Sequence, residues 1–140
     1  VSEEEVKSLV RVCDSFLSLH RAEGFGLGPA EAMFFDKPVI VTAWSGNMDY
    51  MTPDNSLGVR YNLIPLVEGD YPHWQDQVWA DADLDDAAQK VLALFDDPEF
   101  GRQLGKRAGL HMRTHFSHRR QGLRYREQLQ RIALTLSQER

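Results

Sequence analysis

Apolar and polar positions along this chain change period several times, which predicts an α/β fold. The apolar run 15–19 is too short for a helix and predicts a strand, whereas the pattern at 29–35 predicts a short helix. The β-branched run 38–42 has no alternation and predicts a buried parallel strand. Residues 57–66 predict a third strand or a pair of short strands. Strand, turn, helix and strand in this order are the βαβ plan, so we expect a Rossmann-like parallel sheet with flanking helices.

The ends of the chain are predicted to be helical. Ser2 and Glu5 form a capping box for a first helix that ends near Cys13 and packs on the sheet. Three helices are expected to follow residue 82, each starting after a capping residue: Asp83, Asp97 and Ser117. Their expected buried residues are Ala88, Val91, Leu92, Phe95, Leu104, Ala108, Met112, Leu123, Tyr125, Leu129 and Ile132.

Two polar segments join these elements. Residues 43–55 form a glycine-containing loop after a strand, so the loop is expected at the edge of the sheet where ligands bind. Arg60 is expected on the polar face of the third strand, and residues 67–80 read as irregular. Their aromatic residues are expected to pack this segment onto the core: Tyr71, Trp74 and Trp79.

Composition adds few constraints. The length of 140 residues fits a single domain, and the formal net charge of −5 favours neither nucleic acid nor membrane as a partner. Residues 1–100 hold 6 basic and 19 acidic residues, while residues 101–140 hold 10 and 2. The basic end is read as a solvated helical face, with a tail that meets an acidic surface as the alternative. The single cysteine, Cys13, is expected to be a buried thiol, and a cytoplasmic location is expected because no signal-peptide or membrane-span pattern occurs.

The stretch 23–31 carries the candidate chemistry. It places two carboxylates, Glu23 and Glu31, eight positions apart around a glycine-rich turn at the start of the predicted helix, where Pro29 suits the first helical position. Taken singly, each glutamate could serve only the helix dipole. Together with free backbone amides at the helix start, they suit a ligand that bears both hydroxyl and phosphate groups.

This stretch also resembles a known family. The segments His20–Leu27, Ala30–Met33 and Lys37–Thr42, followed by Trp44–Tyr50 and by Trp79 and Ala80, are similar to the retaining glycosyltransferases of family four. Their signature is a glutamate, seven residues and a second glutamate in the C-terminal domain of a GT-B fold. The resemblance therefore implies that residues 1–140 are the donor-binding, C-terminal domain of a longer hexosyltransferase, truncated on its N-terminal side.

The resemblance implies a role for each site residue. Glu23 is the expected catalytic residue, because the first glutamate of the family lies beside the donor sugar. Glu31 would accept the ribose hydroxyls of a nucleotide-diphosphate sugar. The expected donor-binding residues are Gly24, Phe25, Gly26, Leu27, Glu31, Ser45, Gly46 and Asn47. For the last of these, a turn-capping role is an equal alternative to ligand contact.

No metal or other cofactor is expected, since the family usually needs none. A zinc site built from His111, His115 and His118 is disfavoured because a helix break interrupts them and no carboxylate or thiol lies beside them.

The resemblance also leaves expected parts missing. The family neutralises the donor diphosphate with an arginine and a lysine located earlier in the domain, and the only basic residue near the signature is Arg21. An N-terminal acceptor-binding domain is the expected partner, and the chain by itself is expected to be inactive. A weak contact with a membrane surface is a further interpretation, since some members use lipid-linked acceptors.

Two other functions remain as alternatives. One is a non-catalytic binding module of the same fold. The other is a nucleic-acid binder that uses the arginine-rich end, which lacks a recognition motif.

Overall fold

The structure, a computed structural model, describes residues 2–138 of the chain. Its helices are α1 (Glu3–Val12), α2 (Leu27–Phe34), α3 (Leu84–Asp96), α4 (Pro98–His115) and α5 (His118–Gln138). Its strands are β1 (Phe16–Ser18), β2 (Val39–Thr42), β3 (Leu57–Val59), β4 (Tyr61–Pro65) and β5 (Val78–Ala82). A 3₁₀ turn spans Gly46–Asp49.

A parallel sheet in the order β1-β2-β3 forms the centre of the fold. All four residues of β2 are buried, because helices cover both faces of the sheet. Val39 and Val41 pack with residues of α2 and α4 on one face, and Ile40 packs with Ala87 of α3 on the other. The predicted α/β class with a parallel sheet and flanking helices is therefore confirmed.

Several predicted boundaries are confirmed. The capping box at Ser2 and Glu5 is present, and Asp83 and Asp97 accept the backbone N–H groups expected of helix caps. Residues 57–66 form the predicted pair of short strands. Helix α4 buries Leu104, Ala108 and Met112 as expected.

The first helix differs from its prediction. It packs against α2, and Val10 is half-buried against the core cluster that includes Val39 and Val41 of β2, but the helix contains no fully buried residue. Cys13 is consequently exposed, so the expected buried thiol is wrong. Helix α2 also begins earlier than predicted, at Leu27, which places Pro29 at its third position.

The segment predicted to be irregular contains a strand. Strand β5 pairs antiparallel with β4, and the two form a separate hairpin beside the parallel sheet. The aromatic residues of this segment do not all pack onto the core, since Tyr71 is 64% exposed and Trp79 is only half-buried. The sequence does not predict this hairpin, because β5 is short and is rich in alanine and aspartate, which are uncommon in strands.

The apolar stripes of two helices are more exposed than predicted. On α3 the buried positions are Asp86 and Ala87, while the expected stripe of Ala88, Val91, Leu92 and Phe95 is exposed. Helix α5 packs against α4 with Leu123 half-buried, whereas its other predicted core residues are exposed: Tyr125, Leu129 and Ile132. The apolar periodicity of a helix shows which of its residues favour burial. The three-stranded sheet is too narrow to cover all of these residues.

A charged cluster fixes α3 to the corner between β3 and β4. The Asp86 carboxylate, with its side chain 10% exposed, accepts the backbone N–H of Arg60 at 2.8 Å and the Lys90 ammonium at 2.6 Å. The Arg60 guanidinium, which the sequence placed on a polar face, also pairs with Asp86 and with Asp83. The hydrogen bond from Lys90, followed by that from the Arg60 backbone, holds the pKa of the Asp86 carboxyl below its usual range.

This cluster makes stability depend on pH. Because the pKa of Asp86 is lowered on folding, its contribution is present above the ordinary aspartate pKa of about 4 and is lost as pH falls through the lowered value. Asp86→Asn should therefore cost about 1–3 kcal/mol at pH 7, and this cost should shrink in acid. Urea unfolding at pH 7 and at pH 3 measures the free-energy cost and its decrease in acid. The substitution Asp85→Asn, at the exposed neighbouring position, is the control. A cost for Asp86→Asn that does not change with pH would exclude the charge as its cause.

Candidate functional site

Two loops meet at the carboxyl edge of the parallel sheet. One follows β1 and contains Glu23, and the other follows β2 and contains Ser45. The backbone N–H of Glu23 donates to Ser45 Oγ at 2.8 Å, and the N–H of Gly46 donates to the Glu23 carbonyl at 3.0 Å. His20 Nε2 adds a third link by donating to the Trp44 carbonyl at 3.1 Å. The two loops that the sequence placed at one edge are therefore in direct contact.

Close backbone packing at this junction depends on Gly46. A Cβ at this position would overlap the Gly24 carbonyl group and would lie 2.9 Å from the Glu23 carbonyl oxygen. The preceding residue, Ser45, has φ 73° and ψ −148°, a backbone conformation that residues other than glycine rarely adopt. A non-glycine residue held in this region is typical of functional sites.

The junction gives a stability prediction with a matched control. Gly46→Ala should destabilise the fold by about 1–3 kcal/mol, because the new methyl group meets backbone atoms that cannot move aside. Gly24→Ala should leave stability nearly unchanged, since nothing lies within 4 Å of its added Cβ. Thermal unfolding of both variants checks the difference. Equal melting temperatures would show that the two loops pack less closely than described.

The start of α2 is built by a second glycine. Gly26 precedes the helix with φ 80°, and no side chain of the described residues caps this end. Tyr50 Oη donates to the Gly26 carbonyl at 2.7 Å and thereby fixes the turn. Pro29 has no N–H and the Ala30 N–H donates to the Gly26 carbonyl at 3.1 Å, so in the first helical turn the amides of Leu27 and Gly28 are the ones available to an oxygen ligand.

The phenol of Tyr50 stays neutral at this turn. Burial raises the pKa of Tyr50 far above its usual range, and the negative charge of Glu23 raises it further. Tyr50 therefore acts as a hydrogen-bond donor that positions the glycine turn.

Glu23 lines a cleft of about 740 Å³. One wall is the loop between β1 and α2, here called the signature loop, which contributes Arg21, Glu23 and Gly24. The other wall is the β4–β5 hairpin with its connecting loop. The hairpin side contributes aromatic and polar side chains that include Tyr71, His73, Gln77 and Trp79. The sequence does not predict this wall, because residues 67–80 read as irregular whereas Val78–Ala82 form strand β5.

Glu31 lies in a different cavity, of about 550 Å³. It occupies the second turn of α2, and the cavity also contains Lys7 and Arg11 of α1 and Phe116. The Glu31 charge contributes to raising the pKa of Lys7, although the main cause is the ion pair of Lys7 with Glu3. The two signature carboxylates are therefore not neighbours within one cavity, and a ligand that reached both would have to extend past the start of α2.

The remaining predicted site residues differ in what they expose. Leu27 is 69% exposed at the helix start, whereas Phe25 packs its ring 5.0 Å from Tyr50 and 6.2 Å from Phe116. Asn47 is fully buried, and its amide donates to the Thr42 carbonyl at 2.9 Å. This hydrogen bond gives the Asn47 side chain a structural contact, while its buried Oδ1 has no hydrogen-bond partner among the described residues.

A third cavity lies at the opposite edge of the sheet. It has a volume of about 510 Å³ and is lined by residues that precede strands, including Ser15 before β1 and Pro38 before β2. Ligands of parallel α/β sheets bind at the carboxyl ends of the strands, so this cavity is not the candidate site.

The histidines of the C-terminal helices do not assemble a metal site. The rings of His111 and His115 lie 4.8 Å apart, and burial together with His115 lowers the pKa of His111. Across residues 2–138 no group of three or more His, Cys, Asp or Glu residues is placed to hold a metal ion. None of the described helices is both long enough and apolar enough to span a membrane.

Two comparisons with known proteins show what this chain is similar to. Residues 1–63 match the family of glycosyl transferases group 1, a range that includes β1, α2 and both loops of the site. The chain is also 30% identical over 116 residues to a trehalose synthase of Pyrococcus horikoshii. That alignment covers 83% of this chain but only 23% of the relative, so the chain spans less than a quarter of the relative's length.

Less than half of the chain, residues 1–63, is thus similar to group 1 glycosyl transferases, and a longer stretch is similar to part of a trehalose synthase.

Proposed function

We propose that this chain is the donor-binding part of a retaining glycosyltransferase of the GT-B type. The donor would be a nucleotide-diphosphate sugar, transferred to an acceptor bound mainly by another domain of the same protein. The observation that carries the proposal is the junction of the Glu23 loop with the Ser45–Gly46 loop beside the uncapped start of α2. A carboxylate next to free helix amides provides both an acceptor for hydroxyl groups and donors for phosphate oxygens.

The donor would extend between the two cavities. The sugar of the donor would occupy the cleft of Glu23. Its diphosphate oxygens would accept hydrogen bonds from the backbone amides of residues 24–27, and its ribose would reach Glu31. This arrangement is compatible with the separation of the two carboxylates. A nucleotide sugar is long enough to place its sugar at Glu23 and its ribose at Glu31. No metal is required, because the charge of the leaving group would be stabilised by amides and basic side chains.

The two carboxylates would serve different steps. Glu31 would contribute to binding in the ground state, because the ribose hydroxyls do not change during transfer. Glu23 would face the sugar carbon that becomes positively charged as the diphosphate leaves, so its charge would act mainly in the transition state. Transfer would retain the anomeric configuration.

The exposed apolar faces of α1 and α5 would contact the rest of such an enzyme. Helix α5 exposes Tyr125, Leu129, Ile132 and Leu136, and α1 exposes Leu9 and Val12. Apolar surface of this extent favours a protein partner, and the acceptor-binding domain is the proposed one. The proposed location of the enzyme is the cytoplasm.

Binding of donors tests this proposal. Isothermal calorimetry on the full-length protein should detect one class of uridine, guanosine or adenosine diphosphate sugar, and Glu31→Ala should weaken that binding about ten- to hundredfold. A control is Glu68→Ala, an exposed carboxylate on the hairpin loop that lines neither cavity. If the wild-type protein bound none of the three classes, a non-catalytic module would replace the enzyme as the better interpretation.

A further inference from the structure

The cleft of Glu23 contains a guanidinium group that the site described so far does not use. Arg21 lines this cleft two residues before Glu23, and its Cζ lies 5.3 Å from the centre of the Trp79 ring. Among residues 2–138, the ion pairs of arginine involve other positions: Arg11, Arg60, Arg102 and Arg113. Arg21 therefore presents its charge to the cleft without a carboxylate partner in the described part of the chain.

The position of this guanidinium is set by the hairpin. The backbone N–H of Ala80 donates to the Arg21 carbonyl at 2.9 Å, which ties the signature loop to β5 immediately beside Trp79. Trp79 is itself held by its register opposite Ile64 and by an edge contact with Tyr71, whose ring lies 6.5 Å away. The guanidinium lies over the Trp79 ring, and this cation–π contact occupies none of its N–H donors.

The surroundings of Arg21 suit a phosphate group. A guanidinium can donate two parallel hydrogen bonds to phosphate oxygens, and such charge-assisted bonds are about twice as strong as neutral ones. His73 and Gln77 line the same cleft and add further donors. Glu23 is the only carboxylate among the residues lining the cleft, so an anion there would be drawn toward Arg21 and away from Glu23.

We infer that Arg21, positioned by Trp79, forms a phosphate-binding subsite in the cleft beside Glu23. The inference rests on the proposed function for the identity of the ligand, which is either the diphosphate of the donor or a phosphate carried by the acceptor. Arg21 is the binding residue, and Trp79 is a positioning residue that acts through it.

Inorganic pyrophosphate is a probe that does not depend on the sugar or the nucleotide. Calorimetric titration of the full-length protein should show a dissociation constant that rises roughly ten- to hundredfold in Arg21→Ala and less in Arg21→Lys. The control is Arg120→Ala, an exposed arginine of α5 outside the cleft, which should bind like the wild type. Absence of pyrophosphate binding by the wild type, or equal losses in Arg21→Ala and Arg120→Ala, would overturn the subsite.

A double-mutant cycle tests the role of Trp79. Trp79→Leu should weaken pyrophosphate binding, Trp79→Phe should largely preserve it, and Trp79→Leu combined with Arg21→Ala should be no weaker than Arg21→Ala alone. Fully additive losses would contradict positioning through Arg21.

Two further titrations identify the source of the phosphate. If the donor supplies it, Arg21→Ala should weaken nucleotide-sugar binding in the absence of acceptor. If the acceptor supplies it, donor binding should be unchanged, and KM should rise only for phosphorylated acceptors. Binding of pyrophosphate through Arg21 by a protein that binds no nucleotide sugar would retain the subsite and reject the proposed function.

Discussion

Glu23→Gln is expected to lower kcat by about 10²–10³ while changing the donor KM less than about threefold. The substitution keeps the size of the side chain and removes its negative charge. The bonds that hold the loop to Ser45 and Gly46 involve only the backbone of Glu23, so the loop should keep its position. A carboxylate that acts chiefly on the positive charge of the transition state lowers turnover more than affinity when it is neutralised.

Steady-state kinetics of the full-length protein, if it transfers sugar as proposed, measures this split between kcat and KM. Glu68→Gln is the matched control, because its carboxylate lies on the neighbouring hairpin loop outside the lining of the cleft. A rise in KM with no change in kcat would assign Glu23 to ground-state binding. Unchanged values of both constants would remove it from the site.

Gly105→Ala is expected to destabilise the protein by about 3 kcal/mol, a large fraction of the stability of a small domain. Helix α4 approaches the end of α2 so closely that a Cβ at Gly105 would overlap the Asp36 carbonyl oxygen and lie 3.1 Å from the Pro38 nitrogen. Asp36 already has φ 59° in order to close this turn. The obstacle is backbone, which cannot rotate away as a side chain would.

The same contact is reinforced farther along α4. Arg113 donates to the Phe34 carbonyl and to the Asp36 carboxylate, both at 2.8 Å, and these bonds oppose any separation of the two helices. Gly105→Ala must therefore strain the turn or break these bonds. Either response costs stability.

Gly122→Ala is the control for helix propensity. Gly122 lies in exposed helix α5 with nothing within 4 Å of an added Cβ, so alanine should stabilise the protein by up to about 1 kcal/mol. Urea unfolding should thus give effects of opposite sign for two identical substitutions. Equal stabilisation by both would show that α2 and α4 are farther apart than described.

The sequence was most informative where burial and local geometry agree. The β-branched run became β2, covered on both faces, and the aspartate caps of α3 and α4 form as expected because capping depends only on nearby residues. The contact between the two site loops also followed from the rule that the carboxyl ends of parallel strands share an edge.

The features that were not predicted depend on distant contacts. Strand β5 pairs with β4 across the connecting loop 66–77. Because this pairing joins distant residues, the local sequence does not predict the aromatic wall of the cleft. The apolar residues of α3 and α5 predicted burial, but a stripe does not reveal whether a covering surface is present. The sequence spacing of Glu23 and Glu31 likewise could not show that their side chains line separate cavities.

The central claim is that Glu31 binds the ribose of a nucleotide sugar whose sugar lies beside Glu23. The most direct test is a calorimetric titration of the wild type and of Glu31→Ala. Each protein is titrated with the nucleotide sugar that the wild type binds and with the 2′-deoxyribose analogue of that nucleotide sugar. The wild type should prefer the ribose form by roughly tenfold or more, and Glu31→Ala should bind both forms equally because the hydroxyl has lost its acceptor. A preference for ribose that survived in Glu31→Ala would contradict the assignment, and with it the path of the donor between the two cavities.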